Sequence, residues 1–277
     1  MARPIWFIEL LKRGFRYRFW LARLSRLPAL GYLFDRLLFA GDDITFLPRQ
    51  KVITIHQSVP VPEQTVLPTQ VLHHFIDRAQ YHWVMNFCIC RSASRCKDYP
   101  IELGCLFMGK PVLQINPRLG RPVSAAEAHE HIRRCSEAGL VHLIGRNRLD
   151  ALWLGVQPGE ELLTVCNCCP CCCLYRFLPA LAPHIAARFA RMPGVQVEVT
   201  EACDGCGLCA NGVCFVGAIS IESDRAVISQ LCRGCGRCAS ICPRGAVRLS
   251  IPFDAVDRTI NRVEKAVRLI PRTEGRR

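Results

Sequence analysis

Between Cys203 and Pro243, eight of the nineteen cysteines fall into two groups of four, and no other stretch restricts the fold so tightly. The second group, Cys232, Cys235, Cys238 and Cys242 followed by Pro243, has the spacing CxxCxxCxxxCP, a run that holds cubane iron–sulfur clusters. A loop with two residues between thiolates wraps three iron corners of one cubane and cannot also reach the fourth, so a fourth ligand must come from elsewhere. Gly205, Gly207, Gly234 and Gly236 lie among these thiols. Backbone folded closely around sulfide needs such permissive torsions, and the amides it presents can donate hydrogen bonds to cluster sulfur, which raises the reduction potential. Paired CxxC spacings also occur in zinc knots. Three thiols at two-residue intervals, repeated and ending in Cys-Pro, favour iron and sulfide over zinc.

The two groups are halves of an internal repeat. Cys203, Cys206 and Cys209 map onto Cys232, Cys235 and Cys238 with one offset, and Gly217-Ala218-Ile219 onto Gly245-Ala246-Val247 with an offset one residue shorter. The first half therefore carries an extra residue between Cys209 and Cys214. Residues 197–252, about a fifth of the chain, resemble the bacterial-type ferredoxin domain that carries two [4Fe–4S] clusters. The resemblance implies that the distant cysteine of each run serves the other cluster: Cys203, Cys206, Cys209 and Cys242 would hold one, and Cys232, Cys235, Cys238 and Cys214 the other. Two departures touch Cys214. Four residues instead of three precede it, and Phe215 stands where proline is usual.

The chain has 277 residues and is half hydrophobic, which suits one or two domains with a sizeable core. Its cysteines sit in CxC, CxxC and CC clusters, a pattern of soft-metal ligation and not of disulfides in a small secreted domain. Charges at Arg3, Glu9, Lys12, Arg13, Arg16 and Arg18 interrupt any apolar signal core, and no apolar run approaches the roughly 18–20 residues of a membrane span. The expected location is the reducing cytoplasm of a cell living with little oxygen. The net charge of +13 is concentrated toward the two ends, and ligated thiolates would offset part of it.

Residues 4–26 read as a basic amphipathic helix. At about 100° per residue, Glu9, Lys12, Arg13, Arg16 and Arg23 share a narrow arc, while Trp6, Phe7, Ile8, Leu10, Leu11, Phe15, Tyr17, Leu21 and Leu24 fill most of the rest. Arg18 and Trp20 break the pattern. So wide an aromatic face suits the chain's own core, a partner subunit or the anionic inner face of a membrane, touched peripherally through residues 4–26. Pro28 and Gly31 end the helix. Alternating β-branched residues predict a strand over 50–56. Pro60, Pro62 and Pro68 predict an extended linker before a helix over 68–80. His73, His74 and His82 lack a HExxH context and read as surface or core histidines.

Two further cysteine groups lie upstream of the repeat. The first is Cys88, Cys90, Cys96 and Cys105. A strand continuing through Cys88 and Cys90 would point both thiols to one face, and Arg91 and Arg95 between thiols favour thiolate. Ser124-Ala-Ala-Glu127 is a capping box opening a helix that Gly139 closes, and Cys135 within it reads as a buried structural thiol. GLVHLIGRN and ELLTVC predict strands. The second of these delivers CNCCPCCC, with Cys166, Cys168, Cys169, Cys171, Cys172 and Cys173. Six thiols in eight residues have no packing explanation, since cysteine supplies little volume. Cys169 to Cys172 has the CPxC form of a redox dithiol, which leaves four thiols over. Neighbouring strands would join the two groups into a third metal site made of Cys88, Cys90, Cys96, Cys105, Cys166, Cys168, Cys169, Cys171, Cys172 and Cys173. A third iron–sulfur cluster, zinc and dithiol chemistry remain open there. The succession FCICR, GCLFMG, GLVH, CNCCPCCC is similar to a group of anaerobe iron–sulfur proteins in which an extra domain precedes a two-cluster ferredoxin module. That resemblance spans most of residues 65–250 and implies architecture alone.

Phe253, Val256, Ile260, Val263, Val267 and Ile270 recur at steps of three and four, predicting a helix with an apolar seam beside Arg258, Arg262, Lys265 and Arg268. It would pack on the body or on a partner. The expected fold is α+β: a basic helical arm (1–49), a Cys-rich mixed α/β domain (50–196), a dicluster ferredoxin-like module (197–252), and an amphipathic helix with a basic tail (253–277). The expected function is one-electron transfer through two [4Fe–4S] clusters, as a carrier or an oxidoreductase subunit, with redox proteins as partners. The basic ends favour an acidic partner, and nucleic acid is not expected. A redox enzyme acting at CNCCPCCC and a cluster-based redox sensor are the alternatives.

Overall fold

The computed structural model describes residues 2–49, 53–55 and 68–269. The linker expected at Pro60 and Pro62 and the tail beyond residue 269 lie outside them. The chain opens with α1 (Ile5–Gly14) and α2 (Arg18–Leu24), joined by a 3-10 turn over Phe15–Tyr17, and then α3 (Pro28–Phe34) with proline in its first turn. The helix expected over 4–26 is thus interrupted after Gly14, a poor helix former. The interruption explains the residue that broke the amphipathic pattern. Arg18 turns inward, its guanidinium over the rings of Phe15 and Phe19 at 4.2 and 4.3 Å. Trp20 stays outside, 59% exposed.

Next come β1 (Asp43–Phe46) and β2 (Ile53–Ile55). They are followed by α4 (Thr69–Arg78), β3 (His82–Met85), α5 (Ile89–Ser94), β4 (Leu106–Met108), β5 (Gly120–Val123) and α6 (Ala125–Glu137). The Ser124 hydroxyl accepts from the Glu127 amide at 3.2 Å while the Glu127 carboxylate accepts from the Ser124 amide at 2.9 Å, so the capping box opens α6. Then come β6 (Val141–Arg146), α7 (Arg148–Leu154), β7 (Leu163–Cys168), a 3-10 run over Leu174–Ala180, α8 (Pro183–Ala186) and β8 (Phe189–Arg191).

Seven of these strands make one sheet in the order β5-β3-β4-β7-β6-β1-β8, antiparallel except where β1 runs parallel to β8. At its centre lies β7, buried along its whole length. Alternation along a strand turns Leu163 and Val165 toward a core shared with Phe75, Ile132 and Val263, and turns Cys166 and Cys168 to the opposite face, among Phe46, Leu143 and Phe177. A run of cysteines on a central strand thus presents thiols to the interior.

The rest of the chain forms β9 (Gln196–Val199), the hairpin β10 (Ile219–Glu222) and β11 (Arg225–Ile228), α9 (Arg237–Ile241), β12 (Val247–Ile251) and α10 (Ala255–Ala266). A second sheet has the order β2-β12-β9, in which β12 is antiparallel to β9 and parallel to β2. The boundary expected at residue 197 is therefore crossed by a strand pairing, and Leu249 and Ile251 enter the core under the large sheet. Helix α10 packs there too, through Ala255, Thr259 and Val263, with Arg262 on Asp43 at 2.7 Å. Phe253 lies off the seam and is 57% exposed. The fold is mixed α and β, and no described helix is long and apolar enough to cross a membrane.

Candidate metal centres

The eight cysteines of the repeat line two small hollows. One is walled by Cys203, Cys206, Cys209 and Cys242, the other by Cys214, Cys232, Cys235 and Cys238. Each hollow gathers three thiols of one run and the last thiol of the other. Gly205, Gly207, Gly234 and Gly236 all have φ between +63° and +77°, a region that costs other residues strain. At Gly205 a side chain would also stand 2.6 Å from the Asp224 backbone.

Backbone amides point at the sulfurs. The Ala246 amide donates to Cys242 Sγ and, at the matching position of the repeat, the Ala218 amide donates to Cys214 Sγ, both at 3.3 Å. The Ala226 amide reaches Cys203 Sγ and the Gly234 amide Cys232 Sγ, both at 3.4 Å. Burial alone would raise Cys242, but the amides of Val247, Ala246, Arg244 and Gly245 bring its pKa below the ordinary thiol value. Burial pushes Cys235 and Cys238 up to about 12, a cost that metal ligation removes by taking the thiolate directly. Gly212, in the stretch that carries the extra residue before Cys214, has φ +67°. Phe215 does what proline could not, because its buried ring packs edge-on against Phe46 of β1.

Ten of the eleven upstream thiols divide into two constellations. Cys96, Cys169, Cys171 and Cys172 have their sulfurs within 4.8 Å of one another, with Cys96 and Cys171 3.6 Å apart. Four thiolates around a tetrahedral zinc stand about 3.8 Å apart, from a Zn–S bond of about 2.3 Å. Among the described residues this is the set close enough for a single ion. Its position follows from the turn after β7, where Pro170 reverses the chain and carries Cys169, Cys171 and Cys172 toward Leu103, Cys135 and Leu140. Cys135 is fully buried in α6, and burial pushes its thiol up to about 12.

The other six, Cys88, Cys90, Cys105, Cys166, Cys168 and Cys173, border a cavity of about 690 Å³ beneath α1 and α2, which Cys169 of the tetrad also lines. Cys105 and Cys166 lie 3.8 Å apart across β4 and β7. Strand β3 ends at Met85, so the expected strand through Cys88 and Cys90 does not form. Cys88 instead caps α5, and its thiol meets that of Cys90 there. Arg95 is exposed with φ +48°, whereas Arg91 is fully buried and donates Nη1 to the Asn167 carbonyl at 2.8 Å and Nη2 to the Leu103 carbonyl.

Several groups around these thiols carry no sequence signal of their own. The buried Asp150 carboxyl accepts from Trp153 Nε1 and Asn147 Nδ2, both at 2.8 Å, and burial followed by the charge of Cys166 pushes its pKa far up. Asn147 Nδ2 also lies 3.0 Å from the Tyr175 hydroxyl, which stands 3.8 Å from Cys166 Sγ. On the other face of β7 the Asn167 side chain bridges the Gly104 carbonyl and His142 Nδ1, both at 2.8 Å. Arg237, between two thiols of the repeat, donates to the Tyr99 hydroxyl at 2.8 Å and the Gly139 carbonyl at 2.9 Å. His73 stacks on His129 at 4.6 Å and His74 faces Glu264 at 3.3 Å, away from the thiols.

Residues 226–248 match the family described as a 4Fe-4S binding domain, which supports an iron–sulfur domain of ferredoxin type. The matched stretch contains Cys232, Cys235, Cys238 and Cys242 and stops short of the first run. Searches of curated proteins and of solved structures find no match to the chain.

Proposed function

We propose that residues 197–252 hold two [4Fe–4S] clusters and that the protein relays single electrons between redox partners. The observation that carries this is the sharing of thiols between the two hollows, three from one run and one from the other in each. The paired amides of Ala218 and Ala246 give the last thiol of each run the same donor, which suits a thiolate bound to iron. Bound clusters supply the one-electron chemistry. The chain sets potential through amide donors and burial, and sets direction through exposure. Cys206 is exposed, which brings the first hollow to the surface, while Cys214, Cys232 and Cys235 hold the second against the body.

The tetrad Cys96, Cys169, Cys171 and Cys172 takes a single tetrahedral ion, and its all-sulfur set fits zinc. Partners are redox proteins with acidic docking faces, and peripheral contact with an anionic membrane runs through the arm. There Trp6, Tyr17 and Trp20 are exposed beside the exposed Arg13, Arg16 and Arg23, a composition that seats a helix in a headgroup layer. The test is anaerobic purification with iron, acid-labile sulfide and zinc counted, and low-temperature EPR after dithionite reduction. Two interacting cubanes give a broadened spectrum. A colourless chain, or one whose repeat holds zinc, removes the proposal.

A further inference from the structure

The six thiols beneath α1 and α2 need their own account. They ring a space instead of converging on a point. Cys166 Sγ lies 3.8 Å from Cys105, and Cys168, Cys173, Cys88 and Cys90 border the same space. No three of the six are mutually as close as the tetrad, so the ring is too wide for one tetrahedral ion. It is also not a disulfide framework, since all six are free.

A buried cation adds a second, independent observation. Arg91 has no exposed surface, and its Nε, buried within the fold, has no hydrogen-bond partner. Among the described residues no carboxylate lies within ion-pair distance of its guanidinium, and its two hydrogen bonds go to neutral carbonyls. A guanidinium keeps its charge at any accessible pH, and a buried charge without a counter-charge is strongly disfavoured. Arg18, whose Nε is likewise buried and unpartnered, leans over the same space from α2. Two cations facing six thiols call for an anion between them. An iron–sulfur cluster with thiolate ligands is such an anion, and soft sulfur donors select it.

We propose that the chamber under the N-terminal arm is a further iron–sulfur site, ligated by four of the thiols Cys88, Cys90, Cys105, Cys166, Cys168 and Cys173, with Arg91 and Arg18 balancing its charge. It is separate from the hollows of the repeat and from the tetrad, although Cys168 and Cys169 are consecutive and share a wall between two of the sites. Ferrous and ferric iron in equal number, with sulfide, supply the metal and bridging atoms, so no oxidant is needed, and each ligating thiol gives up its proton to solvent as its sulfur–iron bond forms.

The test uses the full chain purified anaerobically, with two complementary triple variants, Cys88→Ser with Cys105→Ser and Cys166→Ser, and Cys90→Ser with Cys168→Ser and Cys173→Ser. Each leaves three of the six thiols, one fewer than the four the proposal requires, so one folded variant suffices. The expected result is that the parent chain holds more iron and sulfide than two cubanes. A variant that folds, as judged by circular dichroism and by the EPR signal of the repeat, loses that excess and keeps its zinc. Arg91→Lys keeps the iron, while Arg91→Leu loses it or moves one reduction wave to a more negative potential. A parent chain with no iron beyond what the repeat holds overturns the proposal, as does a folded variant that retains the excess. An excess removed only by Cys96→Ser with Cys171→Ser overturns it equally.

Discussion

Phe215, the residue after the last thiol of the first run, meets Phe46 of the central sheet edge-on, with ring centroids 6.0 Å apart and planes at 72°. Phe46 in turn meets Tyr175 at 6.0 Å, and the Tyr175 hydroxyl stands 3.8 Å from Cys166 Sγ. Three aromatic rings thus connect the wall of a hollow in the repeat with the chamber of six thiols. Truncating Phe215 to alanine is expected to cost about 3–5 kcal/mol, read by urea unfolding under argon. A double-mutant cycle with Phe46→Leu should return a coupling of about 0.5–1.5 kcal/mol. A coupling near zero would mean that the two rings share no specific contact.

The sharing of thiols between hollows predicts a pattern of non-additivity. Cys242→Ala and Cys206→Ala each remove the cluster of the first hollow, so the double variant should lose no more iron than either single one. Cys242→Ala combined with Cys235→Ala should lose the iron of both clusters. Iron analysis distinguishes the two pairs directly, and equal losses in both pairs would refute the shared ligation.

Stability should fall as pH rises, through Asp42. Burial pushes its carboxyl up to about 7, against the Arg148 amide that donates to Oδ1 at 2.6 Å and the charges of Arg188, Arg146 and Arg148. A carboxyl whose folded pKa exceeds its unfolded value of about 4 adds stability that is full below that value. The contribution is lost as pH rises through about 7. Asp42→Asn keeps an acceptor for the Arg148 amide and removes the titration. The drop in unfolding free energy between about pH 5 and about pH 8 should therefore shrink in the variant, and an unchanged drop would assign it to another group.

Removing the tetrad's ion should leave sulfide untouched. Cys96→Ala or Cys172→Ala is expected to lower zinc while iron and acid-labile sulfide stay at the parent value, and to lower the thermal midpoint, since a structural zinc site contributes to folding. Loss of sulfide together with the metal would instead make the tetrad a cluster site.

Trp6→Glu with Trp20→Glu tests the arm. Both rings are exposed, at 68% and 59%, so the change leaves the chamber beneath intact. Co-sedimentation with anionic vesicles at low salt should disappear, and neutral vesicles should not bind the parent chain. Equal binding by parent and variant would leave the face for a protein partner.

The repeat was legible because its chemistry is local. Two-residue spacings and glycines report a loop that closes around sulfur within a few residues of its own sequence. The capping box at Ser124 and Glu127 and the core strand at Leu163–Cys168 were legible for the same reason. The upstream thiols were not, because their partition depends on which side of the sheet each one faces. Cys168 and Cys169 are adjacent in sequence but enter different sites, since β7 ends between them and Pro170 turns the chain. Cys88 and Cys90 come together on the first turn of a helix and not on a strand. Arg18 looked like a flaw in an amphipathic pattern until the turn after Gly14 brought it inward.

Strand β12 pairs with β9 on one side and with β2 on the other, while Arg237 grips Tyr99 and Gly139 from between two thiols. The carboxy-proximal module is therefore stitched into its neighbour and not tethered beside it. Under the proposed function, clusters in its hollows would stand at distances from the rest of the molecule that are fixed once, when the chain folds. Transfer between such clusters would need no encounter and no hinge, and an excised fragment would lose a sheet partner.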